Sequence, residues 1–382
     1  MNPKEFVLPE AGRILRHPTG YDAFIPALPP LDLPLDRDLV LALSKADAAL
    51  GELSGMGRQL PNPHLLIDPL IRREAVLSSR IEGTRANLAD IFLSEAGQPA
   101  QSVADAADVR EVLNYVTALE HGLARLSTLP LSLRLVNEIH AKLMTGVRGN
   151  FATPGEIRRS QNWIGPAGST LVTAPYVPPP ADELPGLLSA WEKYLHVREV
   201  LPDLVQCALM HEHFEAIHPF LDGNGRVGRL LITLFLVERG RLSQPLLYLS
   251  DFIERNRGDY YGLLHRVRTH GEWSAWIRYF LTGVEVTSRD AVRRIKRLTD
   301  LRERLLLEVH GKGAAELVSR LFIRPTIVVR EAAEVMKVSE PTATKMLSLL
   351  AEKGHLREIT GRAWGRIYVA QAILDAVERT PA

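Results

Sequence analysis

His218-Pro219-Phe220-Leu221-Asp222-Gly223-Asn224-Gly225-Arg226-Val227-Gly228-Arg229 runs straight into the apolar stretch Leu230 to Val237. Pro219 stops a preceding helix, and the glycines allow a tight loop that opens a new one. Such a helix start carries unpaired backbone N–H groups and the positive end of the dipole, which suits phosphate. Arg226 and Arg229 are three apart on the first turn, so their side chains can converge on one anion. Asp222 is a hard oxygen ligand beside that anion, fit for a Mg²⁺ that keeps phosphate oxygens as ligands. His218 stands at the loop's mouth as a candidate general base at neutral pH. Together these residues describe a nucleotide phosphate site.

Three other motif readings fail on this stretch. Gly223-x-Gly225-x-x-Gly228 has the dinucleotide spacing but follows a helix instead of a strand. His211-Glu212-His213-Phe214-Glu215 begins like a zinc-protease helix, yet Glu215 stands where the second histidine is needed, so His211 and His213 read as structural or surface histidines. Asp222-x-Asn224-x-Arg226 begins a calcium loop, but Arg226 and Val227 occupy a ligand position and the required glycine.

Outward from the motif the chain is almost wholly helical by periodicity. Tyr21 to Leu35, with Pro26, Pro29, Pro30 and Pro34, reads as an extended arm. A helix is expected over about 36–52, ended by the Gly-rich and Pro-rich Ser54 to Pro63. Asp68 and Pro69 then look like the cap and first turn of a helix through about Glu82, stopped by Gly83. Further helical patterns cover roughly 86–96, 103–126, 131–144, 182–197, 202–217, 225–239, 257–270 and 272–309. Arg158 to Tyr176 reads as a β-hairpin. In the last third, helices at 314–322, 330–336 and 340–353 precede two short strands at 356–360 and 366–369, the order of a winged helix-turn-helix.

The stretch around His218 resembles the signature of Fic-domain proteins, His-x-Phe-x-(Asp or Glu)-Gly-Asn-Gly-Arg-x-x-Arg, at every fixed position. The resemblance implies transfer of AMP from ATP to a Ser, Thr or Tyr hydroxyl of a protein, with pyrophosphate leaving. His218 would deprotonate the hydroxyl and Asp222 would hold Mg²⁺ on the α- and β-phosphates. Gly223, Asn224 and Gly225 would line the anion hole, Arg226 would contact the phosphates, Arg229 would hold the γ-phosphate and Phe220 would pack to aim His218. Gly155-Glu156-Ile157-Arg158-Arg159 through Tyr176-Val177-Pro178-Pro179-Pro180 is similar to the family's β-hairpin flap, on which the protein target docks. That likeness sets Asn162, Trp163, Ile164 and Gly165 over the nucleotide. Tyr260-Tyr261 looks like the tyrosine pair near the adenine pocket, with plain core packing as the other reading. Leu60-Pro61-Asn62-Pro63 and Arg73-Glu74-Ala75 are similar to the N-terminal region of many bacterial members.

Ser78-Ser79-Arg80-Ile81-Glu82-Gly83 resembles the family's inhibitory helix motif. Ser78 and Glu82 share one helix face. A carboxylate at a helix C-terminus is disfavoured unless a cation compensates it, and by analogy that cation is Arg229, which the pair would deny to the γ-phosphate. The expected fold is thus mainly α: a Fic-type helical core with a β-hairpin flap, then a small winged helix-turn-helix domain. The expected division is an N-terminal helical region at 1–100, a catalytic core at 101–290, and a linker helix with the winged unit at 291–382.

Composition agrees with a soluble, globular chain of two or three domains. The 382 residues are 46% hydrophobic and 24% charged, with 27 Gly and 25 Pro. The single cysteine, Cys207, excludes an internal disulfide and a zinc cluster. Met1 to Gly20 has no apolar signal segment, so a cytoplasmic protein is expected. The net charge of +1 hides an asymmetry: from Ala291 onward there are 17 Lys/Arg against 11 Asp/Glu. A basic tail points to nucleic acid, with Thr342, Thr344 and Lys345 on the third helix facing the major groove and Arg362 in the wing meeting phosphate. Such units also dimerise, so a homodimer stands beside DNA as the tail's partner. Two other readings of the whole chain stay open: a hydrolase that removes AMP from protein at the same site, and a nucleotide-sensing DNA-binding regulator.

Overall fold

A computed structural model describes residues 1–34, 36–59, 64–97, 104–147, 153–166, 168–362 and 365–378. Leu60 to Pro63, and Ala363 and Trp364 from the expected wing, lie outside them. The chain begins with an antiparallel pair, β1 (Gly12–Arg16) and β2 (Asp22–Pro26), in register from Gly12 opposite Pro26 to Arg16 opposite Asp22. The first part of the expected arm is therefore a strand. Ala23, Phe24 and Ile25 are buried, and the Phe24 N–H donates to the Val177 carbonyl, so β2 is held on both edges.

The helical body follows: α1 (Arg37–Gln59), α2 (His64–Ile81), α3 (Leu88–Glu95), α4 (Ala106–Arg125), α5 (Leu133–Leu143), α6 (Leu184–Leu195), α7 (Asp203–Ile217), α8 (Asn224–Glu238), α9 (Ser250–Arg255), α10 (Arg257–His270) and α11 (Trp273–Glu308). Two expected boundaries move. α1 does not stop at Ser54: Ser54 Oγ accepts the Ser243 N–H, and a Cβ on Gly57 would lie 2.8 Å from Ser243 Oγ. Those small residues let a loop lie close on the helix; they do not end it. α2 starts at His64, not at an Asp68 cap, because Leu65, Leu66 and Ile67 are buried and hold the extra turn ahead of Pro69.

α7 is the centre of the core, with every residue from Leu204 to Ile217 buried. Buried tryptophans on its two flanks satisfy their N–H groups on its carbonyls: Trp191 of α6 on Met210 O at 3.2 Å, and Trp276 of α11 on Ala208 O at 2.8 Å. α8 packs beside it, so the segment joining them is fixed at both ends by core helices.

The chain closes with α12 (Ala314–Ile323), β3 (Thr326–Val328), α13 (Val329–Met336), α14 (Glu340–Glu352), β4 (Arg357–Glu358), β5 (Ile367–Val369) and α15 (Gln371–Glu378). The antiparallel sheet has the order β3-β5-β4. β3 and α15 were not expected. α11 crosses the expected boundary at 290/291 as one helix, and α12 packs on α2 while α15 packs on α11, α2 and α3.

The segment read as a β-hairpin is mostly irregular. Among its described residues a single bridge pairs Ile164 with Tyr176, through Ile164 N–H to Tyr176 O at 2.9 Å and the reverse at 3.3 Å. Gly165, Pro166 and Pro175 next to that bridge prevent a longer ladder.

Candidate active site

α7 ends at Ile217 and His218 takes a left-handed conformation, φ 50° and ψ 63°. Pro219 disfavours the helical region for the residue before it, which explains the abrupt stop. The loop that follows is stapled by side chains. Asn224 Oδ1 accepts the Phe220 N–H at 2.9 Å and its Nδ2 donates to Phe220 O at 2.8 Å; Asn162 Nδ2 donates to the same carbonyl at 2.8 Å. His140 of α5 adds a strut from the other side. Its Nδ1 accepts the Gly155 N–H at 2.9 Å, so Nε2 carries the proton and donates to Asp222 O at 3.0 Å. The His140 ring stacks on Phe220 at 3.7 Å, and burial lowers its pKa to about 4, which keeps that tautomer neutral.

Above this loop lies a cavity of about 880 Å³. His218, Asp222, Gly223, Asn224, Gly225 and Arg229 line its floor; Trp163, Ile164, Gly165 and Tyr176 form one wall and Arg257, Tyr260, Tyr261 and Arg268 another. α8 begins at this floor without a side-chain cap, so its first N–H groups are left for a ligand. Gly223 caps it at φ 79°, and a Cβ there would lie 2.8 Å from Met144 Sδ. A Cβ on Gly225 would strike the Glu82 carboxylate, and one on Gly228 the Glu215 carboxylate. The glycines are thus needed by what leans on the helix as well as by the turn.

The two arginines part company. Arg229 donates Nε to Ser78 Oγ and Nη2 to Ser78 O, both at 2.9 Å, and Nη2 to Glu82 Oε1 at 2.7 Å. Burial works against its charge, yet Glu82 keeps the guanidinium above its ordinary pKa. Arg226 instead faces Glu111 of α4 at 3.4 Å and Asp222 at 3.7 Å, and it does not line the cavity. The expected convergence on one anion is absent, because each guanidinium meets a carboxylate from a different helix. Asn162 also stands outside the cavity lining, its Nδ2 spent on the loop and its Oδ1 buried without a partner. Glu82 sits just beyond the end of α2, where Gly83 at φ 104° turns the chain away.

Burial first, then Arg158 and Arg268, lowers the His218 pKa to about 3, so the imidazole is neutral at pH 7; its Nδ1 is buried without a partner. Tyr260 is core as well as wall: its hydroxyl meets His211 Nε2 at 2.9 Å, and His211 Nδ1 meets Gly228 O at 3.0 Å. Tyr261 is 40% exposed and carries Arg257 5.7 Å over its ring. His213 is buried too, with neither ring nitrogen partnered, so both α7 histidines lie in the core and not at the surface. Sequence reasoning missed Glu215, whose carboxyl lines the cavity and is raised to about 7 by burial, and the buried Arg158 and His140. Nothing local marks Glu215, since its neighbours on α7 are buried alike. For Mg²⁺ the donors fit: the Asp222 side chain is 59% exposed at the cavity floor, and one carboxylate suffices for an ion that keeps water and phosphate ligands. Among the described residues no group of three acidic, His or Cys side chains could form a protein-only metal cage, and no helix is long and apolar enough to cross a membrane.

Over 70 residues the chain is 40% identical to a probable protein adenylyltransferase of Aquifex aeolicus, covering 18% of this chain and 22% of that one. Over 180 residues it is 27% identical to the protein adenylyltransferase Fic of Drosophila erecta, covering 46% of this chain and 33% of that one. The chain thus spans a third or less of the length of these relatives. Among solved structures, a Fic family protein from Desulfovibrio desulfuricans aligns with a TM-score of 0.60 at 22% identity, over 90% of this chain and 98% of that one, which shows the shared fold. Residues 40–124 match the Fic/DOC family N-terminal model and residues 130–236 the Fic/DOC family model, so across 40–236 this chain belongs to the Fic/DOC family.

Proposed function

We propose that the protein is an adenylyltransferase that moves AMP from ATP to a hydroxyl of a protein. The observation that carries this is one cavity that joins a neutral His218, the Asp222 carboxylate and the uncapped start of α8. His218 takes the proton of the incoming Ser, Thr or Tyr hydroxyl, whose oxygen bonds to the α-phosphorus as the bond to the bridging oxygen breaks. Pyrophosphate leaves with that electron pair. The first N–H groups of α8 receive the phosphate charge, and Mg²⁺ held at Asp222 would neutralise more of it. The exposed Trp163 and Tyr261 rings offer surfaces to the adenine, and the Ile164–Tyr176 bridge offers its edge to the target's backbone. The names of the Aquifex and Drosophila relatives support the same reaction.

The Arg229 pair with Glu82 supports autoinhibition by competition. A guanidinium held by Glu82 and Ser78 is not available to a γ-phosphate, and ATP then sits with its α-phosphate poorly placed for in-line attack. A bias of about 1.4 kcal/mol is enough to cut the productive population near tenfold. Labelled ATP added to a lysate, with wild type beside Glu82→Gly, tests this. Labelling should rise about tenfold or more in Glu82→Gly and should not rise in Arg229→Ala, which removes both partners' anchor. Equal labelling by wild type and Glu82→Gly sinks the inhibitory assignment. Loss of label from premodified protein, faster in wild type, supports the hydrolase reading in which Glu82 aligns a water.

The C-terminal unit is a second component. Its three helices α12, α13 and α14 with the β3-β5-β4 sheet fit a winged helix-turn-helix, and Lys312, Arg330 and Lys337 gather beside the start of α14. Glu334 and Glu340 share that spot and Arg330 pairs with Glu334 at 3.2 Å, so what supports a DNA-reading role is the tail's overall balance of 17 Lys/Arg against 11 Asp/Glu.

A further inference from the structure

We infer that Arg158 is the positioning residue for His218, through which the flap sets the base. The inference rests on reading His218 as the base and adds a residue to that reading. Arg158 is 2% exposed, yet every bond of its guanidinium goes to a backbone carbonyl: Nε to His218 O at 2.9 Å, Nη1 to Ser160 O at 3.1 Å and Nη2 to Pro179 O at 2.5 Å. Its own N–H donates to Pro219 O at 2.9 Å. One residue therefore holds both carbonyls of the His218-Pro219 turn and both ends of the flap. Among the described residues no carboxylate lies within ion-pair distance of it. A buried guanidinium without a counter-ion is costly, and burial pushes its pKa down to about 10. A structure retains such a group where it over-determines something else.

What it fixes is the backbone of His218. A non-glycine residue at φ 50° persists only where its surroundings hold it there. The ring's own hold is weak: Nδ1 is buried with no partner in good hydrogen-bond geometry, and the one backbone group that acts on it is the Glu215 carbonyl. The direction of the imidazole is therefore set through the main chain. The same contact sets its charge. Arg158 of the flap, Arg268 of α10, Glu215 of α7, Asp222 of the loop and Tyr176, whose hydroxyl donates to Ala216 O, surround His218. Arg268 is paired with Glu212 at 2.9 Å, which leaves Arg158 as the cation whose field the imidazole meets without a matching carboxylate.

The test uses the full chain carrying Glu82→Gly, with Arg158→Lys and Arg158→Gln added separately. Lysine keeps the charge without the fork, and glutamine removes both. Arg158 does not line the cavity, so the affinity for a non-hydrolysable ATP analogue should stay within about twofold in both variants. The rate of AMP transfer at saturating ATP should fall about tenfold in Arg158→Lys and about 100-fold in Arg158→Gln. Nitrogen-15 spectra of labelled histidine, with the His218 signal identified by its loss in His218→Ala, should show one sharp neutral imidazole that moves or broadens in both variants. Unchanged transfer, or affinity falling in step with the rate, overturns the assignment. Should Glu82→Gly transfer no AMP to anything, the adenylyl-transfer reading fails, and the spectra still decide this one: identical His218 signals in all three proteins overturn it. If Arg158→Gln does not fold, Arg158→Lys carries the same two outcomes.

Discussion

The base in the proposed reaction must arrive without a proton. His218 meets that condition because it is partly buried and faces Arg158 and Arg268, which together hold its pKa near 3. A base so weakened gains strength once anionic phosphates enter beside it, since negative charge favours the imidazolium. His218→Ala should therefore lower transfer by about 100-fold or more while ATP affinity, read by titration calorimetry, stays within about twofold. A collapse of both together would make His218 a nucleotide ligand and not a base. At this scale the sequence is informative wherever one residue's chemistry suffices. His218 next to proline and Gly223 at the helix start stand where their types demand. Arg226 and Arg229 do not, because their partners Glu111 and Glu82 come from helices more than a hundred residues upstream. Two arginines on one turn give no sign of which carboxylate each will meet.

Between residue and molecule stands α2, which presents Glu74 and Ser78, and just past its end Glu82, at successive i, i+4 positions toward the Arg229 end of α8. Glu74 is buried, and its Oε1 accepts from Tyr115 Oη at 3.2 Å and Ser250 Oγ at 2.5 Å while Oε2 has no partner. Burial outweighs those bonds and the nearby Arg229, and raises its pKa from 4.5 to about 7. For an acid whose folded pKa is raised, the folded state binds more protons than the unfolded one between those two values. Stability is then greatest below about pH 4.5 and is lost as pH rises to about 7. Glu74→Gln removes that loss. Its melting temperature should exceed the wild type's by a margin that grows from pH 5 to pH 8, and a margin that is constant with pH would reject the assignment. The elements themselves are largely legible from periodicity, and the errors have one cause. Gly57 in α1, read as a stop, and Pro69 in α2, read as a start, are local boundary signals overruled by burial: one where a loop lies on the helix, the other where Leu65 to Ile67 enter the core. The flap fails for the opposite reason, since glycine and prolines break an alternation that otherwise reads as strands.

At the scale of the whole molecule, the C-terminal unit is docked on α3 and on α2, the helix that leads into Glu82. Thr326 Oγ1 donates to Phe92 O at 3.1 Å, and Glu95 of α3 bridges Arg324 at 3.7 Å and Arg72 of α2 at 2.7 Å. Arg294 of α11 donates to Val377 O at 2.6 Å, which ties down α15. A DNA experiment should therefore use the full chain, because α12 and α15 lose their packing partners when the tail is cut away. From Ala291 onward the chain is net basic and before it net acidic, so the tail is the part whose charge favours a duplex. On α14, Thr344 Oγ1 donates to Glu340 O at 2.8 Å and Thr342 shares a bond with Ser339 Oγ at 3.0 Å, which leaves Lys345 as the ionic reach of that helix. Arg362 lies exposed beside β4 and β5, where a wing would meet the backbone. Full-length protein titrated with fluorescent duplex at two salt concentrations should bind more tightly at the lower one. Lys345→Ala and Arg362→Ala should each weaken binding to all sequences alike and reduce the slope of log K against log salt by about one. These two charges lie outside the cavity, so neither variant should change labelling by ATP. Absence of binding at low salt would remove DNA as the tail's partner and leave docking between protein surfaces as its role.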